Sequence, residues 1–265
     1  MSLNQEPFTD AKVREAFAYA FDRDAFCAEV YPDSCEPARS WMPPGVPGQA
    51  DSDAIAFNPE AAQEALAASS YGSAENLPEI TASYFGEPDE AEDLPDDVQW
   101  VADQYREVLG IELVLEPVEG GELFARTQAA ATYPQFMIFN GWFQDYPDPQ
   151  NWLSVVWNCD ASSARAAGYC NEEFDRLTEI GDTTVDPAQR LEAYQQAERI
   201  LIADAPGVFA YHPAGQVLIQ PSVTGITPAP VDAVWPGALT SLMTIEKTTP
   251  DASVATPGTG TPSPS

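Results

Sequence analysis

One stretch decides the fold of this chain: GWFQDYPDPQNW, residues 141–152. Before it lies an apolar run at 136–139, whose length and residue types predict a buried strand. After it, Asp148-Pro149 predicts the start of a helix, with aspartate as N-cap and proline at the first helical position. Residues 141–145 therefore fall where a strand ends and a loop begins, which is where open α/β sheets place ligands. We expect this segment to form one wall of a binding cleft.

The composition is that of a folded, strongly acidic protein. Hydrophobic residues make up 44% of the 265 residues, which excludes a mainly disordered chain. Acidic residues number 42 and basic residues 11, so the formal net charge is −31. This charge argues against binding nucleic acid or anionic lipid, since both require cationic residues. We favour a solvated acidic surface that keeps the protein soluble, with a cationic partner as the alternative.

The four cysteines form two local pairs, Cys27 with Cys35 and Cys159 with Cys170. Neither pair has the spacing of a zinc knuckle or a redox motif. We favour two short disulfides in an oxidising compartment over free thiols. No stretch approaches the roughly 20 apolar residues of a membrane span. The start at Met1 is typical of an expression start, so we expect an export signal to have been removed.

Helical and strand periodicities alternate along the chain, which predicts an α/β domain. Strand, helix and strand between 80 and 116 predict a right-handed βαβ crossover. Residues 26–49 are proline-rich and expected to be irregular, with Trp41 and Met42 covering part of the core. Residues 248–265 predict a disordered Ser/Thr/Pro tail. The predicted helices cover 10–22, 59–68, 96–109, 122–131, 149–157, 172–180 and 187–203, and the predicted strands cover 80–85, 111–116, 136–139, 207–211 and 217–219.

Six segments, taken in order, carry a family resemblance: FTDAKVREAFAYAFDR (8–23), FNPEAA (57–62), LGIEL (109–113), WFQDYPDPQNW (142–152), YCNEEFDRL (169–177) and RLEAYQQAE (190–198). Together they resemble the extracellular solute-binding proteins of family 5, which serve ABC importers of oligopeptides and dipeptides. The resemblance covers roughly residues 8–247 and implies an α/β fold with a mixed sheet flanked by helices. It implies that residues 4–247 are the C-terminal lobe of a two-lobed periplasmic-binding-protein-like fold, and that the N-terminal lobe is missing from this chain.

The resemblance implies a ligand site on the loop at 141–145. In peptide-binding members the ligand lies extended and pairs with protein backbone like an added strand. Backbone groups of Gly141 and Phe143 match that role, with Trp142 beside them. Asp145 matches the carboxylate that holds the free α-amine, a charge-assisted hydrogen bond. An Asx-turn role for Asp145 before Pro147 is the alternative.

The same resemblance implies a non-catalytic protein without a cofactor. Its partners would be a small solute, most simply a short peptide, the permease of an ABC importer and its own N-terminal lobe. We expect an extracytoplasmic monomer, anchored by lipid in the full-length protein.

Three other functions stay open. Another solute, such as an oligosaccharide or a nickel complex, is carried by proteins of the same family. A hydrolase could use Asp145 and Asp148 as acid and base, but Asp148 is better explained as a helix cap. His212 follows an apolar run beside Pro213, and we interpret it as structural. An adhesive surface module carrying the Ser/Thr/Pro stalk is the third alternative.

Overall fold

The computed structural model describes residues 1–49, 52, 56–87, 94–214, 220–225 and 246–247. Contacts divide the chain into two units, Met1–Ala214 and Gly215–Ser265. The helices of the described residues are α1 (Ala11–Ala20), α2 (Arg23–Glu29), α3 (Pro59–Ala68), α4 (Asp96–Leu109), α5 (Gly120–Arg126), α6 (Pro149–Trp152), α7 (Ser154–Trp157), α8 (Ser162–Ala167), α9 (Glu172–Thr183) and α10 (Pro187–Asp204). The strands are β1 (Cys35–Pro37), β2 (Ile80–Phe85), β3 (Leu113–Val118), β4 (Phe136–Met137), β5 (Tyr211–Pro213), β6 (Val223–Thr224) and β7 (Glu246–Lys247).

The central sheet has three parallel strands in the order β3-β2-β4. β2 pairs along its whole length with β3, from Ile80 opposite Leu113 to Phe85 opposite Val118. On its other side it pairs with β4. Antiparallel pairing occurs between β1 and β5. Parallel and antiparallel pairings flanked by helices confirm the predicted α/β class.

Local signals in the sequence explain where several helices begin and end. Asp10 caps α1 by accepting from the backbone N–H of Lys12, and Asn58 caps α3 just before a proline at the first helical position. α4 ends at Gly110, whose φ of 70° is left-handed and suits glycine best. These helices confirm the prediction within one or two residues.

An aromatic cluster forms the centre of the core. Phe17 of α1 lies 5.1 Å from Phe8, 4.6 Å from Tyr105 and 5.6 Å from Phe136, measured between ring centroids. All four side chains are buried. The cluster joins α1, α4 and β4, so the strand that leads to the 141–145 loop is fixed by apolar packing.

The disulfide prediction is confirmed, since both local pairs are bridged. Cys27 is bonded to Cys35, and Cys159 to Cys170. The first bridge ties α2 to β1. The second lies beside α9, because the carboxylate of Asp175 accepts from the backbone N–H of Cys159 at 3.1 Å.

Some predicted boundaries were wrong. The strand expected at 136–139 ends at Met137, and the helix expected at 149–157 is two short helices that meet at Leu153. Residues 23–29 form α2, although 26–49 was expected to be irregular. The strand expected at 207–211 begins only at Tyr211. The helix expected at 122–131 is α5, which begins at Gly120 and ends at Arg126.

Two further predictions, the strand at 217–219 and the tail at 248–265, lie outside the described residues. The second unit is described at 220–225 and 246–247, which include an antiparallel pair with Val223 opposite Lys247 and Thr224 opposite Glu246. Among the described residues, none of the helices combines the length and apolar character that crossing a membrane requires.

Candidate functional site

The chain leaves the central sheet abruptly after β4. The backbone N–H of Ile138 still donates to the carbonyl of Ser83 at 2.9 Å, but Phe139 has a φ of 58°. A bulky residue rarely adopts this left-handed conformation, which ends the strand. The ring of Phe139 packs 5.4 Å from Phe26 and 5.8 Å from Tyr211. Packing therefore fixes the point at which the loop begins.

The four predicted ligand-binding residues lie together on that loop. Gly141 is exposed, and a Cβ added to it would meet no atom within 4 Å. Phe143 is 62% exposed, Asp145 is exposed and Trp142 is half-buried. The loop thus presents accessible backbone, an aromatic ring and a carboxylate on one short segment.

Asn151, which sequence analysis did not single out, connects two of these residues. Its side chain is 1% exposed. Its Oδ1 accepts from the indole Nε1–H of Trp142 at 2.9 Å and from the backbone N–H of Asp145 at 3.1 Å. Its Nδ2 donates to Oδ2 of Asp145 at 3.3 Å. Nothing in the local sequence pattern marks this residue beyond a polar side chain in the first turn of α6.

A second connection holds the loop through tryptophans. The indole Nε1–H of Trp152 donates to Oε1 of Gln144 at 3.1 Å. Trp41 in turn donates to the backbone carbonyl of Trp152 at 2.7 Å, and the two rings are 5.6 Å apart. Trp152 is buried and supports the loop from behind, whereas Trp142 alone of these indoles belongs to the predicted loop segment.

The proline-rich segment under Trp41 is held by a buried carboxylate. Oε1 of Glu198 in α10 accepts from the backbone N–H of Met42 at 2.8 Å. Burial raises the pKa of Glu198 to about 7, although the hydrogen bonds from the backbone of Met42 and Trp41 oppose that shift. Glu198 therefore changes its charge near neutral pH, and it holds the segment whose Trp41 contacts Trp152 behind the loop.

Asp148 acts as a helix cap. Its Oδ1 accepts from the backbone N–H of Gln150 at 2.9 Å and from Nη2 of Arg190 at 2.6 Å. The hydrogen bond to Asp148 raises the pKa of Arg190, whose guanidinium also lies 5.0 Å from the ring centroid of Tyr194. A carboxylate committed to a helix N-terminus and an arginine is poorly suited to act as a general acid.

Cavities lie between the described residues, two of them beside Asp148 and His212. One of 280 Å³ is next to the loop and is lined by Tyr146, Asp148, Gln150, Asp182 and Arg190. The other, of 270 Å³, is lined by residues that include Asp24, Glu36 and His212.

His212 lies on β5 opposite Glu36 of β1. Burial lowers its pKa to about 4, so the imidazole is neutral at pH 7. This agrees with its interpretation as a structural residue.

Comparison with known proteins identifies the family. The sequence model of the bacterial extracellular solute-binding proteins, family 5 Middle, matches residues 1–164. The chain belongs to this family. Members are solute-binding proteins found outside the cytoplasm, as the family description says, and the predicted resemblance is confirmed.

Individual relatives agree with the family. The probable di/tripeptide-binding protein 5 of Pseudomonas aeruginosa is 28% identical over 231 residues, which cover 85% of this chain and 42% of the relative. The dipeptide-binding protein DppE of Bacillus subtilis is 28% identical over 245 residues, covering 88% of this chain and 44% of the relative.

A solved structure matches the fold. The periplasmic oligopeptide-binding protein OppAIV of Borrelia burgdorferi superposes with a TM-score of 0.73 at 25% identity, over 93% of this chain and 47% of that one. The chain thus spans less than half the length of these three proteins.

Proposed function

We propose that this chain is one lobe of an extracytoplasmic solute-binding protein that captures short peptides for an ABC importer. Its relatives are named as di/tripeptide- and dipeptide-binding proteins, which supports a peptide as the solute. Residues 4–247 would form the C-terminal lobe, and an N-terminal lobe would close over the ligand by a hinge. The remaining partner would be the membrane permease, and the full-length protein would be a lipid-anchored monomer.

The observation that carries this proposal is the position of the Asp145 carboxylate. It is exposed on a loop at the carboxyl end of a parallel sheet, and its Oδ2 is held by Asn151. Oδ1 of Asp145 has no hydrogen-bond partner within the described ranges, so it is available to an ammonium group. In a closed cleft that bond gains strength, because the effective dielectric constant falls.

The backbone on either side of Asp145 would bind the rest of the peptide. Gly141 and Phe143 are exposed, and the space around Gly141 is open to an approaching chain. An extended peptide could pair there with the loop backbone, while Trp142 and Phe143 supply apolar contacts. Main-chain pairing is insensitive to peptide sequence, which suits a transporter of mixed peptides.

The test compares a free peptide amine with a blocked one. In the full-length protein with both lobes, tri-alanine should bind more tightly than N-acetyl-tri-alanine by isothermal titration calorimetry. Asp145→Asn should weaken tri-alanine binding by about tenfold or more, because a hydrogen bond between charged groups is replaced by one with a neutral group. Asp103→Asn on α4 is the control, since Asp103 is a partly exposed aspartate outside the loop, paired with Arg106. Equal affinity of wild type and Asp145→Asn would refute the amine anchor.

Native mass spectrometry of the same protein decides between the solutes. Co-purified peptides support the proposal, whereas an oligosaccharide or a metal chelate would replace the peptide with another solute. Turnover of a peptide or glycoside would revive the hydrolase alternative. The chain alone should bind peptides far more weakly than the two-lobed protein, because it covers one side of the ligand only. Nanomolar binding by this chain would contradict the two-lobed proposal.

A further inference from the structure

We propose that Asn151 is a positioning residue of the peptide site, which holds the Trp142 indole and the Asp145 carboxylate in a fixed relative orientation. This inference rests on the proposed function. Asn151 would not touch the peptide. It would act through the two loop residues that do.

The hydrogen bonds of the amide determine its orientation. The indole Nε1–H of Trp142 and the backbone N–H of Asp145 are donors only, and both meet Oδ1 of Asn151. Rotating the amide by 180° would place its NH2 group against two donors and its oxygen against the Asp145 carboxylate. The rotated amide would therefore lose three hydrogen bonds and gain a repulsion between two oxygens, so a single orientation is stable.

Burial makes this arrangement selective for asparagine. The side chain is 1% exposed, so water does not replace a missing partner. Both lone pairs of Oδ1 are used, and one hydrogen of Nδ2 is donated to Asp145. An apolar residue of similar size would leave two donors of the loop, the Trp142 indole and the Asp145 backbone N–H, without this acceptor.

The bonds to Asp145 reach both its backbone and its side chain. The backbone N–H and Oδ2 are held by the same amide, which fixes the direction of the carboxylate relative to the loop. The bond to Oδ2 leaves Oδ1 for the peptide ammonium. Because the Asp145 carboxylate is already oriented before the peptide arrives, binding loses less conformational entropy.

Asn151 is itself fixed by the start of α6. Its backbone N–H donates to the carbonyl of Asp148 at 3.1 Å, in the turn that Asp148 caps and Arg190 anchors to α10. The neighbouring Trp152 holds Gln144. The first turn of α6 thus connects a rigid helix to three successive parts of the loop.

The chain offers a matched control for this role. Asn171, the N-cap of α9, makes the same pattern of bonds: Oδ1 accepts from the backbone N–H groups of Glu173 and Phe174, and Nδ2 donates to Asp204. Its partners are not on the 141–145 loop. Asn171→Ala therefore removes equivalent hydrogen bonds without disturbing the proposed site.

The experiment measures the affinity ratio of tri-alanine to N-acetyl-tri-alanine in the two-lobed protein. Asn151→Ala should lower this ratio by about tenfold, since a misoriented carboxylate loses most of a charge-assisted hydrogen bond. Asn171→Ala should leave the ratio within about twofold, although it destabilises the fold. If Asn151→Ala and Asn171→Ala both keep the wild-type affinity ratio while Asp145→Asn brings it close to one, the positioning role is wrong and the proposed function stands.

A second measurement needs no peptide. Hydrogen exchange of the Trp142 indole, assigned with Trp142→Phe, should accelerate at least about tenfold in Asn151→Ala and remain unchanged in Asn171→Ala. Unchanged exchange in Asn151→Ala would overturn the inference. If Asp145→Asn has no effect on the ratio, the amine anchor fails, and indole exchange still decides whether Asn151 positions the loop. Asn151→Ser, which replaces the amide with a shorter hydroxyl, serves if the alanine variant does not fold, and the same changes are expected of it.

Discussion

The aromatic core and the candidate site lie at opposite ends of one short segment but are stabilised differently. At Phe136 the chain is held by ring packing against Phe8, Phe17 and Tyr105. A few residues later, the loop at 141–145 is held by hydrogen bonds that Asn151 Oδ1 accepts and that the Trp152 indole donates.

This difference follows from what each region must expose. A core excludes water, so non-directional apolar packing stabilises it. A ligand surface must stay accessible until the ligand arrives, so it can bury little of its own apolar area. Directional hydrogen bonds from a buried residue behind the surface fix the loop without covering it. We therefore expect the core to respond to lost volume and the site to respond to lost polar partners.

The largest expected effect comes from removing volume in the core. Phe17→Ala should lower the free energy of unfolding by about 3–5 kcal/mol, because the vacated space lies among three fixed rings. Urea denaturation measures this change. Phe143→Ala on the exposed loop is the control and should change stability by less than about 0.5 kcal/mol. Similar losses in both variants would refute the contrast between the two regions.

A second test uses the buried carboxylate that supports the loop from α10. The pKa of Glu198 is raised to about 7 in the folded protein. At low pH the Glu198 carboxyl is protonated in both the folded and the unfolded protein. Its contribution to the free energy of unfolding is therefore fully present below the unfolded pKa of 4.5 and is lost as pH rises through 7. The free energy of unfolding of Glu198→Gln, measured relative to that of the wild type, should therefore rise by about 3 kcal/mol between pH 4.5 and pH 8.

The comparison of the two proteins at each pH isolates Glu198. His212 has a lowered pKa and gives the opposite slope, with stability lost as pH falls from 6.5 towards 4. Both proteins contain His212, so its effect cancels in the difference. A pH-independent difference in urea-denaturation free energy would show that Glu198 does not titrate in this range.

The helices and strands that the sequence predicted well are determined by residues within or next to them. β2 and α4 match their predicted bounds, since alternation, an acidic first turn and the glycine at 110 act within a few residues. The apolar run also predicted where the 141–145 loop begins, after β4, while the role of this loop as the ligand site stays a prediction. Trp142 and Asp145 prove to share one partner.

The features that the sequence did not predict depend on distant contacts. β4 ends early because Phe139 packs against Phe26 and Tyr211, which lie more than 70 residues away along the chain on either side. Asn151 has partners six and nine residues away on an irregular loop. A helical or strand period cannot reveal such contacts, because they are set by where the loop folds back.

A smaller effect is expected from the cap that joins the site to α10. Asp148→Ala should lower the free energy of unfolding by about 1–2 kcal/mol, since α6 loses its N-cap. Asp186→Ala is the matched control, because Asp186 also caps a helix that begins with proline, α10. Both variants should lose stability by urea denaturation, but only Asp148→Ala should accelerate exchange of the Trp142 indole. Faster exchange in both would mean that general destabilisation, not the connection through α6, loosens the loop.

The smallest effect on stability should come from breaking an exposed ion pair. This variant tests whether the stabilisation by polar contacts depends on how many there are or on how deeply they are buried. Asp24 accepts two hydrogen bonds from Arg39 at 2.9 Å, yet its side chain is 64% exposed. Asp24→Asn should cost at most about 1 kcal/mol and should cost nothing measurable in 1 M NaCl, where the screening length is about 3 Å. The Asn151 side chain is buried and its contacts join mostly neutral groups, so the exchange effect of Asn151→Ala should persist at that salt concentration. If salt removed both effects, the loop would be held by surface electrostatics and not by the buried amide.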